Sequence, residues 1–347
     1  MAVEDYGRIG NDPVQAVTLV NGPLRARLIT YGARLTELHV PDREGRTADI
    51  VLGHDTLAEY EASKAFFGAT AGRYANRIRR GRFHLDGRDH QLDVNEGPNH
   101  LHGGRAGFDR ANWRLDEATE TRAVLSLISP DGDMGYPGAC HAVTTYELAD
   151  ERTFRITMTA SASAPTPVNI VHHSYFNLAG QGDVLGQELR LDAPFYTPVD
   201  AELLATGEIL SVAGTPFDFT TPKPIGRDFA ALGAVGEGVF DSGGGYDHNW
   251  VLAGAGEAMR LCAEARDPAS GRRMRLLTNQ PGVQLYTGGY LNEQVIGKGG
   301  RPLQRFAGFT LETQVFPGSP NHAHFPSSIL RPRQTYDHRM EFDFSAD

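Results

Sequence analysis

Cysteine, methionine and tryptophan are scarce in this chain, at two, six and two residues in 347. Cys140 and Cys262 lie far apart, each in a strand-like segment among apolar neighbours, so free buried thiols are expected rather than a disulfide framework. No apolar run approaches the ~20 residues that a membrane-spanning helix needs. The opening MAVEDYGRIGNDP has neither a basic n-region nor an apolar h-region, so it does not read as a signal peptide. A cytoplasmic location is the default expectation. Positive charge is in deficit: 33 Lys and Arg stand against 43 Asp and Glu, a net charge of −10. That balance argues against nucleic acid or an anionic membrane as the main partner. Fixed-period repeats, low-complexity tracts and clear linkers are also missing, and residues 1–347 read as a single domain.

Glycine and proline are abundant, at 40 and 20 residues, which suggests many turns and therefore many strands. Period-two alternation dominates the pattern. FRITMTA puts Phe154, Ile156, Met158 and Ala160 on one face, with Arg155, Thr157 and Thr159 on the other; RMEFDF repeats this with Met340, Phe342 and Phe344. RFHLDGRDHQL carries Asp86-Gly87 between two alternating halves, a hairpin signal, and AEARDPASGRRMRLL has the same form with a longer loop. Helical signals are few. DTLAEYEASK predicts a short helix over 55–64 with Asp55 as N-cap, and GRDFAALGAVG another turn or two. The expectation is an all-β fold of stacked antiparallel sheets with function on the longer loops; the lack of a blade repeat speaks against a propeller.

Four segments are unusually polar for their surroundings. GRYANRIRRGRF contains Asn76 and Arg77 and, on composition alone, reads as a surface basic cluster. NHLHGG places His100 and His102 on one face if extended, a pair that suits a metal only with further ligands that the sequence does not name. Gly103-Gly104 more simply marks a turn. In NIVHHSYFNLAG, alternation puts Asn169, Val171, His173, Tyr175 and Asn177 on one face and His172 on the other. The first set is the better candidate for a polar cleft, while His172 reads as a core histidine tied to a local partner. In GFTLETQVFPGSPNH, Glu312 lies among apolar and β-branched residues, where a carboxylate is expensive unless paired or useful; with a raised pKa it would serve as a general base. Asp247 in GGGYDHNW is a further carboxylate behind a glycine run.

Taken in order, GRYANRI, LHGG, HHSYFNLAG, YDHNW, PGVQLYTG, FTLETQVFPGSPNH and the Phe325-Pro326 pair resemble the motifs of the aldose 1-epimerases, or galactose mutarotases, almost end to end. The resemblance implies a large antiparallel β-sandwich of the galactose-mutarotase type. It also implies cofactor-free, metal-free interconversion of the α and β anomers of aldohexoses such as galactose and glucose. By position it implies Glu312 as the base on the C1 hydroxyl and His173 as the acid on the ring oxygen. Asn76, Arg77, His102, Asp247 and Gln284 become sugar-binding residues. One position departs from the family's pattern: the residue before the catalytic histidine is usually Asn, and here it is His172. The expected partner is a monosaccharide, with a monomer as the default state. Three other readings are an epimerase for a phosphorylated hexose or rarer aldose, a sugar-binding module without chemistry, and a glycosidase using Glu312 and Asp247. For the first of these, Arg79, Arg80 and Arg82 are the available cations.

Overall fold

The structure is a computed structural model that describes residues 2–232, 244–254 and 258–347. The strands predicted by alternation form as expected. In Thr153–Ala162 the apolar set Phe154, Ile156, Met158 and Ala160 is buried, and Arg155 between them is exposed. Its partner Tyr336–Ala346 is in register, with Phe342 opposite Phe154 and Met340 opposite Ile156. Both predicted hairpins close: Arg82–Leu85 pairs with Arg88–Gln91, and Arg260–Arg266 with Arg272–Thr278. Asp86 and Gly87 both have positive φ, 48° and 80°, the conformation that a two-residue hairpin of type I′ requires.

These strands assemble into antiparallel sheets. The first, Ala2–Ile9, Asp12–Asn21, Leu24–Ile29, Arg34–Pro41 and Thr47–Asp49, is a five-stranded meander in sequence order. A nine-stranded sheet is knitted together by the C-terminal strand Tyr336–Ala346, which sits between Thr153–Ala162 and Arg272–Thr278. The third has five strands in the order Leu210–Ser211, Phe195–Thr197, Asp247–Val251, Gly282–Tyr286, Thr310–Gln314. One apolar core joins all three, with Leu19, Leu28 and Leu38 from the first, Phe154, Leu276 and Phe342 from the second, and Trp250, Leu285 and Leu311 from the third. At ~1.5–3 kcal/mol for each fully buried large aliphatic or aromatic side chain, this core is the main force holding the β-sandwich together. Cys140 and Cys262 are both buried and unbridged within it.

The described residues contain two short α-helices, Leu57–Ala62 and Phe229–Leu232, besides single 3-10 turns. The first begins at Thr56 and not at the expected cap Asp55. Thr56 stands three residues before Glu59, so the Thr56 hydroxyl accepts from the Glu59 N–H and the Glu59 carboxylate from the Thr56 N–H. Asp55, one residue too early for that exchange, accepts from the Gly299 N–H instead. The second helix matches the turn expected in GRDFAALGAVG, whose remainder from 233 lies outside the described residues. No described helix is long and apolar enough to cross a membrane.

Candidate active site

The third sheet has one apolar and one polar face, and alternation decides which residue is on which. His248 and Trp250, Val283 and Leu285, and Leu311 point one way; Trp250, Val283, Leu285 and Leu311 join the core. Asp247 and Asn249, Gln284 and Tyr286, and Thr310, Glu312 and Gln314 point the other way. Cross-strand register places Gln284 opposite both Asn249 and Glu312. The polar groups bond to one another: the Gln284 amide donates to Asp247 Oδ1 (2.7 Å), and the Gln314 amide to Gln284 Oε1 and Asn249 Oδ1 (3.2 Å each). Thr310 Oγ1 donates to Glu312 Oε1 at 2.9 Å, and the buried Oε2 has no hydrogen-bond partner among the described residues.

His173 reaches this face from a separate short strand, Val171–His173, which pairs with Ala69–Ala71. Its Nε2 stands 3.4 Å from Glu312 Oε1. His172 points the other way, against Tyr146, where its Nε2 meets Ser174 Oγ at 2.7 Å. The alternation read from the sequence holds over this strand, but its extension does not. Of the expected polar face only His173 and Tyr175 line the cavity; Asn169 bonds to Ala75 O and the Val315 N–H, and Asn177 to Gln181 O, Gly182 O and Ala307 O. The strand ends at His173, and beyond its end period-two alternation no longer aims side chains.

His100 and His102 do not share a face. The strand His100–Leu101 stops before His102, whose φ of +50° turns its side chain away from the extended path. His100 is buried in a structural role between Asp93 O (2.7 Å) and Tyr136 OH (2.5 Å), whereas His102 lines the cavity. His102 Nδ1 accepts the Asn76 backbone N–H at 3.2 Å, which in the neutral ring puts the proton on Nε2. Asn76, also left-handed at φ +61°, caps the Arg77 N–H with its Oδ1 (2.8 Å). The Arg77 guanidinium holds Glu96 in a two-pronged pair at 2.7 and 2.6 Å and stands 3.9 Å from Asp247. The basic-cluster reading of this segment therefore divides. Asn76 and Arg77 are buried, while Arg79 and Arg80 are half-exposed partners of Asp200 and Glu202.

All seven sequence-predicted residues, Asn76, Arg77, His102, His173, Asp247, Gln284 and Glu312, line one cavity of about 860 Å³. Sequence reasoning missed Glu96, Phe66 and Tyr286, which line it too. Glu96 was legible only as the acidic partner that a buried arginine requires. Burial governs the electrostatics. It raises the Glu312 carboxyl to about 8, with Asp247 adding to the rise and Thr310 and Arg77 opposing it. It lowers His173 to about 4, and drives His102 well below the ordinary imidazole value. His102, His173 and Glu312 offer donor atoms within 4.8 Å of one another, close enough to consider a metal. The hydrogen bond from Asn76 disfavours that use, because a ring with Nδ1 occupied and Nε2 protonated has no lone pair left to ligate. What the arrangement does offer is proton donors and acceptors converging on one polyhydroxyl-sized space.

The aldose 1-epimerase family model matches residues 15–343. Galactose mutarotase from Bos taurus is 41% identical over 339 residues, covering 97% of this chain and 96% of that protein. Aldose 1-epimerase from Escherichia coli K12 is 34% identical and covers 96% of each. Among solved structures, an aldose epimerase homologue from C. elegans superposes with a TM-score of 0.86 at 29% identity, covering 95% of this chain and 98% of that one. With sequence, fold and the clustering of the motif residues in agreement, the chain belongs to the aldose 1-epimerase family.

Proposed function

We propose that this protein interconverts the α and β anomers of free aldohexoses, galactose and glucose first among them, with the buried Glu312–His173 pair as its acid–base machinery. The observation that carries the reading is that pair: 3.4 Å apart, inside the cavity, with burial displacing the carboxyl upward to about 8 and the imidazole downward to about 4. Between the two values the pair holds one proton, and the titration belongs to the pair as a unit. These displacements rest that proton on Glu312 before sugar binds; the productive arrangement moves it to His173, leaving Glu312 as the carboxylate. Glu312 takes the proton of the C1 hydroxyl as His173 gives one to the ring oxygen. The C1–O5 bond breaks and the C1 oxygen becomes the carbonyl. Rotation about C1–C2 exposes the other carbonyl face, and the same two transfers run in reverse to close the ring. Concerted transfer avoids a free alkoxide, and each such partner contributes typically ~10²–10⁴-fold.

Asn76, Arg77, His102, Asp247 and Gln284 hold the remaining hydroxyls in this reading. Arg77 is already oriented by Glu96, and Gln284 is tied to Asp247, so little side-chain freedom is lost on binding. The chemistry needs no redox group or metal. Cytoplasmic location, a single domain and a monomeric state belong to the same proposal. An epimerase for a phosphorylated hexose is less well supported, because Arg79 and Arg80 are neutralised by Asp200 and Glu202.

The test is polarimetry on freshly dissolved α-galactose and α-glucose, where the protein should speed the approach to equilibrium rotation with or without a chelator. Glu312→Gln should lower kcat/KM at least ~10²-fold with the circular dichroism spectrum unchanged. Full activity in that variant would sink the assignment.

A further inference from the structure

We propose that Phe66 is a substrate-contacting residue, an aromatic platform for the C–H face of the pyranose ring; the inference rests on the sugar reading above. The side chain is placed unusually. Its ring lies 4.7 Å from that of His102 and 5.6 Å from that of His173, and it lines the same cavity. It joins none of the apolar clusters of the described residues. The neighbouring Phe67 takes the core position instead, edge-on to Tyr175 and His54 at 5.0 and 5.1 Å. A large apolar ring is thus held against two imidazoles and an open cavity, outside the apolar clusters of the described residues.

The backbone shows that this position is imposed. Phe66 has φ +56°, a left-handed conformation that is strained for a bulky residue and persists only where the surroundings enforce it. Two hydrogen bonds enforce it here: the Ala69 N–H donates to Phe66 O at 3.0 Å, and the Gly68 N–H to His173 O at 3.0 Å. The second bond ties the turn directly to the catalytic histidine, so the ring's place relative to His173 is set by backbone. A relaxed φ would turn the ring away from this position.

The chemistry of the substrate supplies the complement. A pyranose is polar round its edge and presents C–H groups on its faces, and the negative face of an aromatic ring attracts such polarised C–H groups. Edge groups are served by Arg77, Asp247, Gln284 and His102. Tyr175 also lines the cavity, 5.2 Å from His173, but packs into the apolar cluster with Phe67 and Tyr286. Phe66, tilted at 47° and 32° to the rings of His102 and His173, is the lining aromatic that meets both imidazoles, and so is placed to meet a sugar face beside His173.

The test separates contact with sugar from cover for the histidines. Phe66→Leu keeps the apolar volume and loses the π face; its KM for galactose should rise about tenfold, equivalent to ~1.4 kcal/mol, with kcat within about threefold of wild type. Phe66→Tyr should restore KM to within about threefold. Phe66→Trp should show an indole fluorescence change on galactose addition that the wild type lacks, since Trp113 and Trp250 are buried in the core. An unchanged KM in Phe66→Leu, or a loss confined to kcat, overturns the proposal. So does a silent indole in Phe66→Trp. Wild-type turnover tests the sugar reading separately: if the wild type binds galactose calorimetrically without converting it, the same pattern is expected in Kd. A wild type that neither binds nor converts galactose overturns both.

Discussion

His172 and His173 are neighbours in the chain, both buried, with their ring values both displaced downward by burial, yet they face opposite environments. His173 shares the cavity with Glu312; His172 bonds Ser174 behind the strand. His173→Asn should therefore remove nearly all mutarotation, and His172→Asn should mainly cost stability, about 1–3 kcal/mol for a buried polar group left poorly paired. Urea melts and polarimetry on the two variants would show this, and equal losses of turnover would mean that the strand alternation has been misassigned. The same pair sets a pH dependence. On the proposed mechanism, above about 8 Glu312 gives up its proton and the pair has none to donate to the ring oxygen; below about 4 both groups are protonated and no base remains. kcat/KM for galactose should form a broad plateau between these limits and fall on both sides. Converting Glu312 to Gln should remove the alkaline limb from whatever activity remains.

At the level of elements, the site depends on short strands and turns that end at the right residue. His102 reaches the cavity because its strand stops at Leu101 and the chain turns through Gly103, at φ +92°. A Cβ on Gly103 would lie 1.7 Å from Gly72 O, with no flexible neighbour to yield. Gly103→Ala should destabilise the protein by about 3 kcal/mol or more, as clash and left-handed strain combine, and should weaken sugar binding in whatever remains folded. The midpoint of a urea transition reads the first effect, and KM the second. The turn at HGG was legible from its glycines alone. The separation of His100 from His102 was not, since it needs the strand to end between them. Likewise, Asp86-Gly87 announced its hairpin, while the helix cap moved from Asp55 to Thr56 on the strength of a three-residue spacing to Glu59.

At the level of the whole molecule, the cavity stands on a core shared by the three large sheets. Phe154 lies at 0% exposure in that core, stacked near Tyr146 and Phe342. Phe154→Ala should cost ~3–5 kcal/mol of stability and leave KM and kcat nearly unchanged well below the melting temperature. Selective loss of turnover at full folding would show that the core strains the site directly. The polar face of the third sheet follows from the same packing. Once Trp250, Leu285 and Leu311 are committed to the core, Asp247, Gln284 and Glu312 must share the opposite side.

The sequence by itself determined the strands, both predicted hairpins, the buried thiols and the ordered run of motifs. Each of these is local, carried by period-two side-chain geometry, turn residues or residue type. It also separated His173 from His172, because neighbours on one strand must diverge. Only the tertiary structure decided which strands lie side by side, and so it alone brought residues 76, 77, 102, 173, 247, 284 and 312 into one cavity. It alone supplied Glu96 to Arg77, Asn76 to His102 and Phe66 to the two imidazoles. The displaced proton affinities of Glu312 and His173 belong there too, since desolvation is a property of the surroundings that a folded chain builds around a group and not of the group's place in the sequence.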